Sequence, residues 1–337
     1  MDLSIIVPVY NVEKYILASI ESIFRQGLDE ERFEVIIIDD ETKDHSLEVI
    51  ADFISKHQNI RIVHQKNQGI SVVRNNGISM AQGTYILMPD SDDLLTDNSL
   101  MPLLDLALER HPDIVTADYL VMNDEQISHY KGEVQPTLQC EEKTGRQMFL
   151  EDYSPYHSYV WRMLFRREFI IENQLRFYPG IRYQDVPFIQ ECYLKAEKCL
   201  KTNYLLNIYR MGHESATRFF SLEKGKDLCI AISETWKLTH WEGHTPETLH
   251  RLQDNVYTSF QFLISLIAYS IPCGKDRYPL LDFLKEKAPD MAFHHTCQQR
   301  LSTFLLWKMP HTYINGNYYI RKVLKWLKRH RNSKTKR

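Results

Sequence analysis

Between Leu3 and Asp93 four short apolar runs alternate with stretches of helical spacing, and that alternation narrows the possible folds more than any other feature of the chain. The runs are Leu3–Tyr10, Phe33–Ile38, Ile60–Val63 and Tyr85–Met88, rich in the β-branched residues of strands buried on both faces. The first intervening segment spaces Tyr15, Ile16, Ile20, Ile23 and Phe24 as a helix does, and the second so spaces Leu47, Ile50 and Phe53. The third opens at Gly69 and carries Arg74-Asn75-Asn76-Gly77. Such alternation predicts an α/β sheet, largely parallel. Ligands of open α/β sheets sit outside the carboxyl ends of the strands. Three of the runs end in Tyr10-Asn11, Asp39-Asp40 and Asp90-Ser91-Asp92-Asp93, so parallel strands would gather all three on one rim.

The last of these ends puts three carboxylates within four residues. Left bare in a core, each would cost several kcal/mol, so they are expected to face solvent, a cation, or both. Oxygen ligands on a short loop suit Mg²⁺ or Mn²⁺. The plainer alternative is a polar turn in which Asp93 or a neighbour caps the next helix. No GxGxxG follows the first run and no GxxxxGK[ST] occurs, which argues against a dinucleotide-binding site and a P-loop.

With 337 residues, 43% of them hydrophobic, the chain has room for two domains and a proper core. Its six cysteines show no CxxC pair and read as reduced thiols of a cytoplasmic protein. The start, Met1-Asp2-Leu3-Ser4, lacks the bases of a signal peptide. The longest apolar run, Phe262–Ile271, falls far short of the roughly 20 residues of a bilayer span. The net charge of −3 hides an asymmetry: 11 of the 41 Lys and Arg residues, and no acid, lie from Met291 onward. An acidic globule with a basic arm is expected.

Taken in order, Ser4-Ile5-Ile6-Val7-Pro8-Val9-Tyr10-Asn11, the Asp39-Asp40 strand end, Arg74-Asn75-Asn76-Gly77 with Ala81-Gln82-Gly83-Thr84-Tyr85, and Asp90-Ser91-Asp92-Asp93 resemble the signature series of family 2 glycosyltransferases with the GT-A fold, of the bacterial polysaccharide or capsule type. The resemblance is strong over residues 1–125 and continues to about 217. It implies a catalytic domain over 1–219, with a nucleotide-binding half at 1–125 and an acceptor half at 126–219. A helical region with a basic amphipathic tail would then fill 220–337.

The resemblance further implies that Pro8, Val9, Tyr10, Asn11 and the Asp40 carboxylate hold the base and ribose of a nucleotide. A carboxylate can accept from the uracil N3–H; the alternative is a surface Asp40 that caps the following helix. Where the family has Asp-Asp-Gly-Ser this chain reads Asp39-Asp40-Glu41-Thr42, an exchange that predicts loss of the tight turn. Arg74 is a candidate donor to uracil or phosphate, or a structural ion pair. By analogy Asp90, with Ser91, would contact the ribose, and Asp92 would bind the metal on the diphosphate. Asp93 is expected in a supporting role or as a helix cap.

In the acceptor half, Tyr159–Phe169 resembles the family's segment leading to the acceptor, with Trp161 either stacking on a sugar or buried in the core. Gln184-Asp185 stands where many relatives have Glu-Asp, which makes Asp185 the candidate catalytic base and Gln184 an acceptor contact. Asp185 could also be a helix N-cap ahead of Val186-Pro187. Tyr209-Arg210-Met211-Gly212-His213 resembles the family's closing segment, with His213 a candidate metal ligand.

From about 221 the spacing turns helical, and residues 318–337 form a basic amphipathic stretch with Trp326 at its boundary. Such a helix suits an anionic membrane surface, or docks on the acidic domain. No motif points to nucleic acid.

The sequence therefore predicts an inverting, metal-assisted glycosyltransferase of the hexosyl or N-acetylhexosaminyl type. It would move a sugar from a nucleotide sugar, UDP-linked, to a hydroxyl of a glycan or lipid-linked oligosaccharide in cell-surface polysaccharide synthesis. The expected setting is cytoplasmic, at the inner face of a membrane. The rival readings are a non-catalytic nucleotide-sugar-binding subunit and a nucleotidyltransferase.

Overall fold

The structure is a computed structural model, described over residues 1–132, 135–212, 220–271 and 275–319. By internal packing the chain falls into two compact units. The first comprises Met1–Tyr153, His157–Gly180 and Phe188–Ser215; the second comprises Ser154–Tyr156, Ile181–Pro187 and Ala216–Arg337.

The first unit is built on one sheet of nine strands among the described residues. They are β1 (Leu3–Val9), β2 (Phe33–Asp39), β3 (Ile60–His64), β4 (Tyr85–Leu87), β5 (Leu94–Leu95), β6 (Ile114–Asn123), β7 (Cys140–Lys143), β8 (Met163–Arg166) and β9 (Cys199–Met211). Their order is β3-β2-β1-β4-β8-β6-β9-β5, with β7 also on β9. The pairs β1–β2, β1–β4 and β2–β3 are parallel, as the strand–helix alternation requires. Beyond β4 the sheet is mixed: β8 runs antiparallel to β4 and β6, while β6 and β9 are parallel. Every residue of β1 and β2 is buried, which explains their continuous apolar character.

The helices of this unit are α1 (Ile16–Phe24), α2 (Ser46–Ile54), α3 (Ile70–Met80), α4 (Leu100–Arg110), α5 (Asp124–Ser128), the single turn α6 (Gly145–Gln147) and α7 (Arg167–Glu172). Helix α8 (Asp185–Lys195) begins in residues of the second unit and continues into the first.

Gly77 shows why α3 carries its motif. A Cβ there would lie 2.3 Å from Ile6 Cγ2, so only glycine lets α3 lie this close to β1. At the foot of the sheet, the buried Glu34 accepts from Ser4 Oγ at 2.6 Å and from the Gln82 backbone N–H at 2.7 Å.

The second unit holds α9 (Leu222–Leu238), α10 (Pro246–Ser270), α11 (Tyr278–Lys287) and α12 (Cys297–Lys308). Thr245 starts α10 by accepting from the Thr248 N–H, with Pro246 in the first turn. Leu228, Ile232, Val256, Phe260, Ile264, Leu281 and Phe293 form its core. No described helix is long and apolar enough to cross a membrane. Residues 320–337, most of the expected basic tail, lie outside the described residues.

Candidate active site

The parallel half of the sheet does bring the three polar strand ends to one rim. Past the end of β1, Asn11 takes a left-handed backbone, φ 54°, and turns the chain toward the end of β2. Its N–H donates to Thr42 Oγ1 at 2.8 Å, and its side-chain oxygen accepts from the Lys43 N–H at 2.9 Å. Pro8 and Val9 are buried, whereas Tyr10 is exposed at the rim.

The turn after β2 departs from expectation. Glu41 adopts φ 62°, the conformation glycine would supply, and side-chain bonds hold the bend. The Thr42 N–H still reaches Asp39 Oδ1 at 2.9 Å, and Thr42 Oγ1 donates to Asp44 Oδ1 at 2.8 Å. These bonds hold a side chain where an L-residue costs about 1–2 kcal/mol.

Asp40 is 3% exposed, and its carboxylate faces the β3–α3 loop. Oδ1 accepts from Gln65 Nε2 at 2.8 Å and from the Gln68 N–H at 2.9 Å; Oδ2 accepts from the Gly69 N–H at 2.9 Å. It caps no helix that follows β2. It fixes the loop that opens α3.

From α3 the motif residues fan out to separate partners. Arg74, 1% exposed, donates from Nη2 to Asp90 Oδ1 at 2.7 Å and lies 5.4 Å from the Phe177 ring centroid. Asn75 exchanges two bonds with the Phe177 backbone, at 2.8 and 2.9 Å. Asn76 donates to Gln65 Oε1 at 2.7 Å, which completes the link back to Asp40. Asp40, Gln65, α3, Arg74 and Asp90 thus form one connected framework.

Beyond Asp90 lie the buried Ser91, the half-buried Asp92 and Asp93, which is only 3% exposed. One carboxylate oxygen of each of Asp90, Asp92 and Asp93 lies within 4.8 Å of the other two. Asp93 caps no helix: β5 follows it, and α4 starts after Ser99. Instead its Oδ1 accepts from the Arg210 N–H at 2.8 Å, while its buried Oδ2 has no hydrogen-bond partner. Burial first, then the charges of Asp92 and Asp90, push its pKa up to about 9. An orphaned, buried carboxylate oxygen beside two further carboxylates fits a divalent cation. Asp92 would hold such an ion, with Asp90 and Asp93 beside it.

Arg210, near the end of β9, ties this loop in place. Its Nε donates to the Asp92 carbonyl at 2.8 Å, its Nη1 pairs with Asp124, and its guanidinium lies 4.8 Å from the Tyr15 ring centroid. Gly212 follows with φ 100°. His213, the other candidate metal ligand, lies outside the described residues.

Trp161 is 2% exposed and sits in an aromatic cluster, with Tyr159 at 4.9 Å, Tyr209 at 5.9 Å and Tyr119 edge-on at 5.1 Å between ring centroids. The core alternative is the one observed, and the indole has no open face for a sugar. Burial, followed by the charge of Asp93, raises the Tyr209 pKa.

Gln184 and Asp185 belong to the second unit. Gln184 is buried, and Asp185 is the first residue of α8 rather than its N-cap, with partial exposure.

Comparison with known proteins agrees with this architecture. Residues 4–173, half of the chain, match the family described as glycosyl transferase family 2. The uncharacterized glycosyltransferase EpsJ of Bacillus subtilis is 35% identical over 220 residues, covering 64% of this chain and 62% of EpsJ. The glycosyltransferase GlyG of Streptococcus pneumoniae is 29% identical over 241 residues, covering 69% of this chain and 78% of GlyG. Among solved structures, S. aureus TarS 1-349 in complex with UDP-GlcNAc superposes with a TM-score of 0.68 at 19% identity, covering 94% of this chain and 89% of that one. The fold is that of the GT-A glycosyltransferases, and the chain belongs to glycosyl transferase family 2.

Proposed function

We propose that this enzyme transfers a hexosyl or N-acetylhexosaminyl group from a UDP-sugar to a hydroxyl of a glycan or lipid-linked oligosaccharide, in the building of a cell-surface polysaccharide. One observation carries the reading: Asn11, Asp40 and the aspartates Asp90, Asp92 and Asp93, from three strand ends far apart in the chain, come to one rim, where Arg74 on α3 pairs with Asp90. Family membership supports glycosyl transfer, and the UDP-GlcNAc held by TarS, a protein of the same fold, suggests the nucleotide.

In this reading the nucleoside lies against the exposed Tyr10 and the loop that Asp40 fixes, where Asp40 Oδ2 retains capacity to accept from a base N–H. Asp90 is oriented by Arg74 toward the ribose. Asp92 takes a divalent cation, Mn²⁺ or Mg²⁺, which when bound neutralises charge on the departing diphosphate. The acceptor hydroxyl attacks the anomeric carbon as the bond to the diphosphate breaks. Its proton passes to the Asp185 carboxylate, and the configuration at carbon inverts. The sequence context of Gln184-Asp185 supports this role, and Gln184 would position Asp185 or the acceptor.

Attachment to the inner face of a membrane is part of the proposal. Besides the basic tail, Leu301 and Phe304 stand exposed three residues apart on α12, with Lys308 one turn on.

The test is turnover of a UDP-sugar panel by wild type and by Asp185→Asn. General-base catalysis contributes about 10²–10⁴-fold. UDP release in the presence of acceptor should therefore fall by that order while donor binding is kept. Equal turnover by the variant would remove Asp185 from the mechanism.

A further inference from the structure

The helical unit contains a second group of metal-ligating side chains, outside the aspartate triad. His250 and Asp254 stand one turn apart on α10 and so share a face. His250 Nε2 lies 3.2 Å from Asp254 Oδ2. His295, from the segment ahead of α12, sets its ring 3.7 Å from that of His250, centroid to centroid. One donor atom from each of the three residues lies within 4.8 Å of the other two.

The surroundings hold these groups in position. Gln299 is buried, and its Nε2 donates to Asp254 Oδ1 at 2.7 Å. Its Oε1 accepts from the backbone N–H of His295 at 2.9 Å and of Thr296 at 3.2 Å. One buried amide therefore orients the carboxylate and fixes the loop that carries the second imidazole. Gln253 Oε1 meets Nε2 of His295. Partners of this kind, placed behind the donor groups, are what orient the ligands of a metal.

We propose that His250, Asp254 and His295 form a binding site for a zinc-type divalent ion, which pins α10 to the segment leading into α12. Two imidazoles and one carboxylate match the donor preference of Zn²⁺ or Co²⁺, whereas Mg²⁺ and Mn²⁺ favour all-oxygen sets such as the aspartate triad. Ligands about 2.0–2.1 Å from a tetrahedral ion lie roughly 3.3 Å from one another. The His250–Asp254 separation of 3.2 Å is close to that value, and a donor atom of His295 lies within 4.8 Å of both. Three protein ligands leave one position for water. The two clusters share no residue.

The test uses the full chain without a histidine tag, stripped of metal and titrated with Zn²⁺ in excess Mg²⁺. Calorimetry should show one zinc per chain in wild type and in Asp92→Asn. Binding should weaken at least tenfold in His295→Ala and in His250→Gln, the latter a change at an exposed helix position that leaves the circular dichroism spectrum intact. Co²⁺ should give visible absorption in wild type and Asp92→Asn that His295→Ala loses. Three results would overturn the proposal: no zinc bound by wild type, zinc bound equally by both histidine variants, or zinc lost in Asp92→Asn.

Discussion

Arg74 Nη2 lies 2.7 Å from Asp90 Oδ1, and this ion pair joins the helix that packs on β1 to the loop that ends β4. The guanidinium is buried and the carboxylate about one-third exposed. The pair acts as a strut: it fixes where the aspartate triad begins, and it costs stability when only one partner is removed.

Arg74→Ala is predicted to destabilise the first unit by about 3 kcal/mol, the order found when a buried pair is broken from one side. Asp90→Asn keeps an acceptor for the guanidinium and should cost less. Urea unfolding of the two variants against wild type checks both the size and the ranking.

Gly77→Ala would drive a methyl group into Ile6, and overpacking of this kind costs about 1–3 kcal/mol. The double variant Gly77→Ala with Ile6→Ala should recover part of the loss, because Cγ2, the atom the new methyl would meet, is removed. Thermal unfolding of the single and double variants measures the coupling.

Glu41→Gly should stabilise the chain by about 1 kcal/mol, since the residue stands at φ 62° where a side chain is strained. A rise in urea midpoint without change of slope is the expected signature.

Asp93 gives the metal-free protein a pH dependence whose sign can be worked out. Its pKa is raised from 3.8 to about 9, so between those values the folded state holds a proton that the unfolded state has released. Its contribution to stability is fully present below about pH 4 and is lost as pH rises toward 9. Asp93→Asn should flatten the decline between pH 6 and 9, measured by urea unfolding in EDTA. In wild type, Mn²⁺ should offset the decline and bind more tightly as pH rises.

Much of this was legible in the sequence. The buried runs gave β1 to β4 because residues covered on both faces must all be apolar, and parallel pairing then put Asn11, Asp40 and Asp90 on one rim. What escaped was set by distant partners. Asp93 is pulled inward because Leu94 pairs with Ile208 on β9, a contact that no local pattern around Asp-Ser-Asp-Asp announces. Glu41 keeps a glycine's conformation because Asn11, Asp39, Thr42 and Asp44 bond across the turn. Trp161 was ambiguous by composition alone; Tyr159 and Tyr209 settle it by packing on the indole. The second unit's inclusion of 181–187 had no sequence signal, since that stretch is assigned by tertiary packing.

The most direct measurement is the thermal shift given by UDP-GlcNAc and other UDP-sugars, with and without Mn²⁺, in wild type and in Asp92→Asn. A bound ligand stabilises by RT ln(1 + [L]/Kd), so a cognate donor at about 100 times its Kd should contribute about 2.7 kcal/mol. The account predicts a shift in wild type that grows with Mn²⁺ and a variant in which the Mn²⁺-dependent part is gone. A Mn²⁺-dependent shift of equal size in both proteins would contradict it.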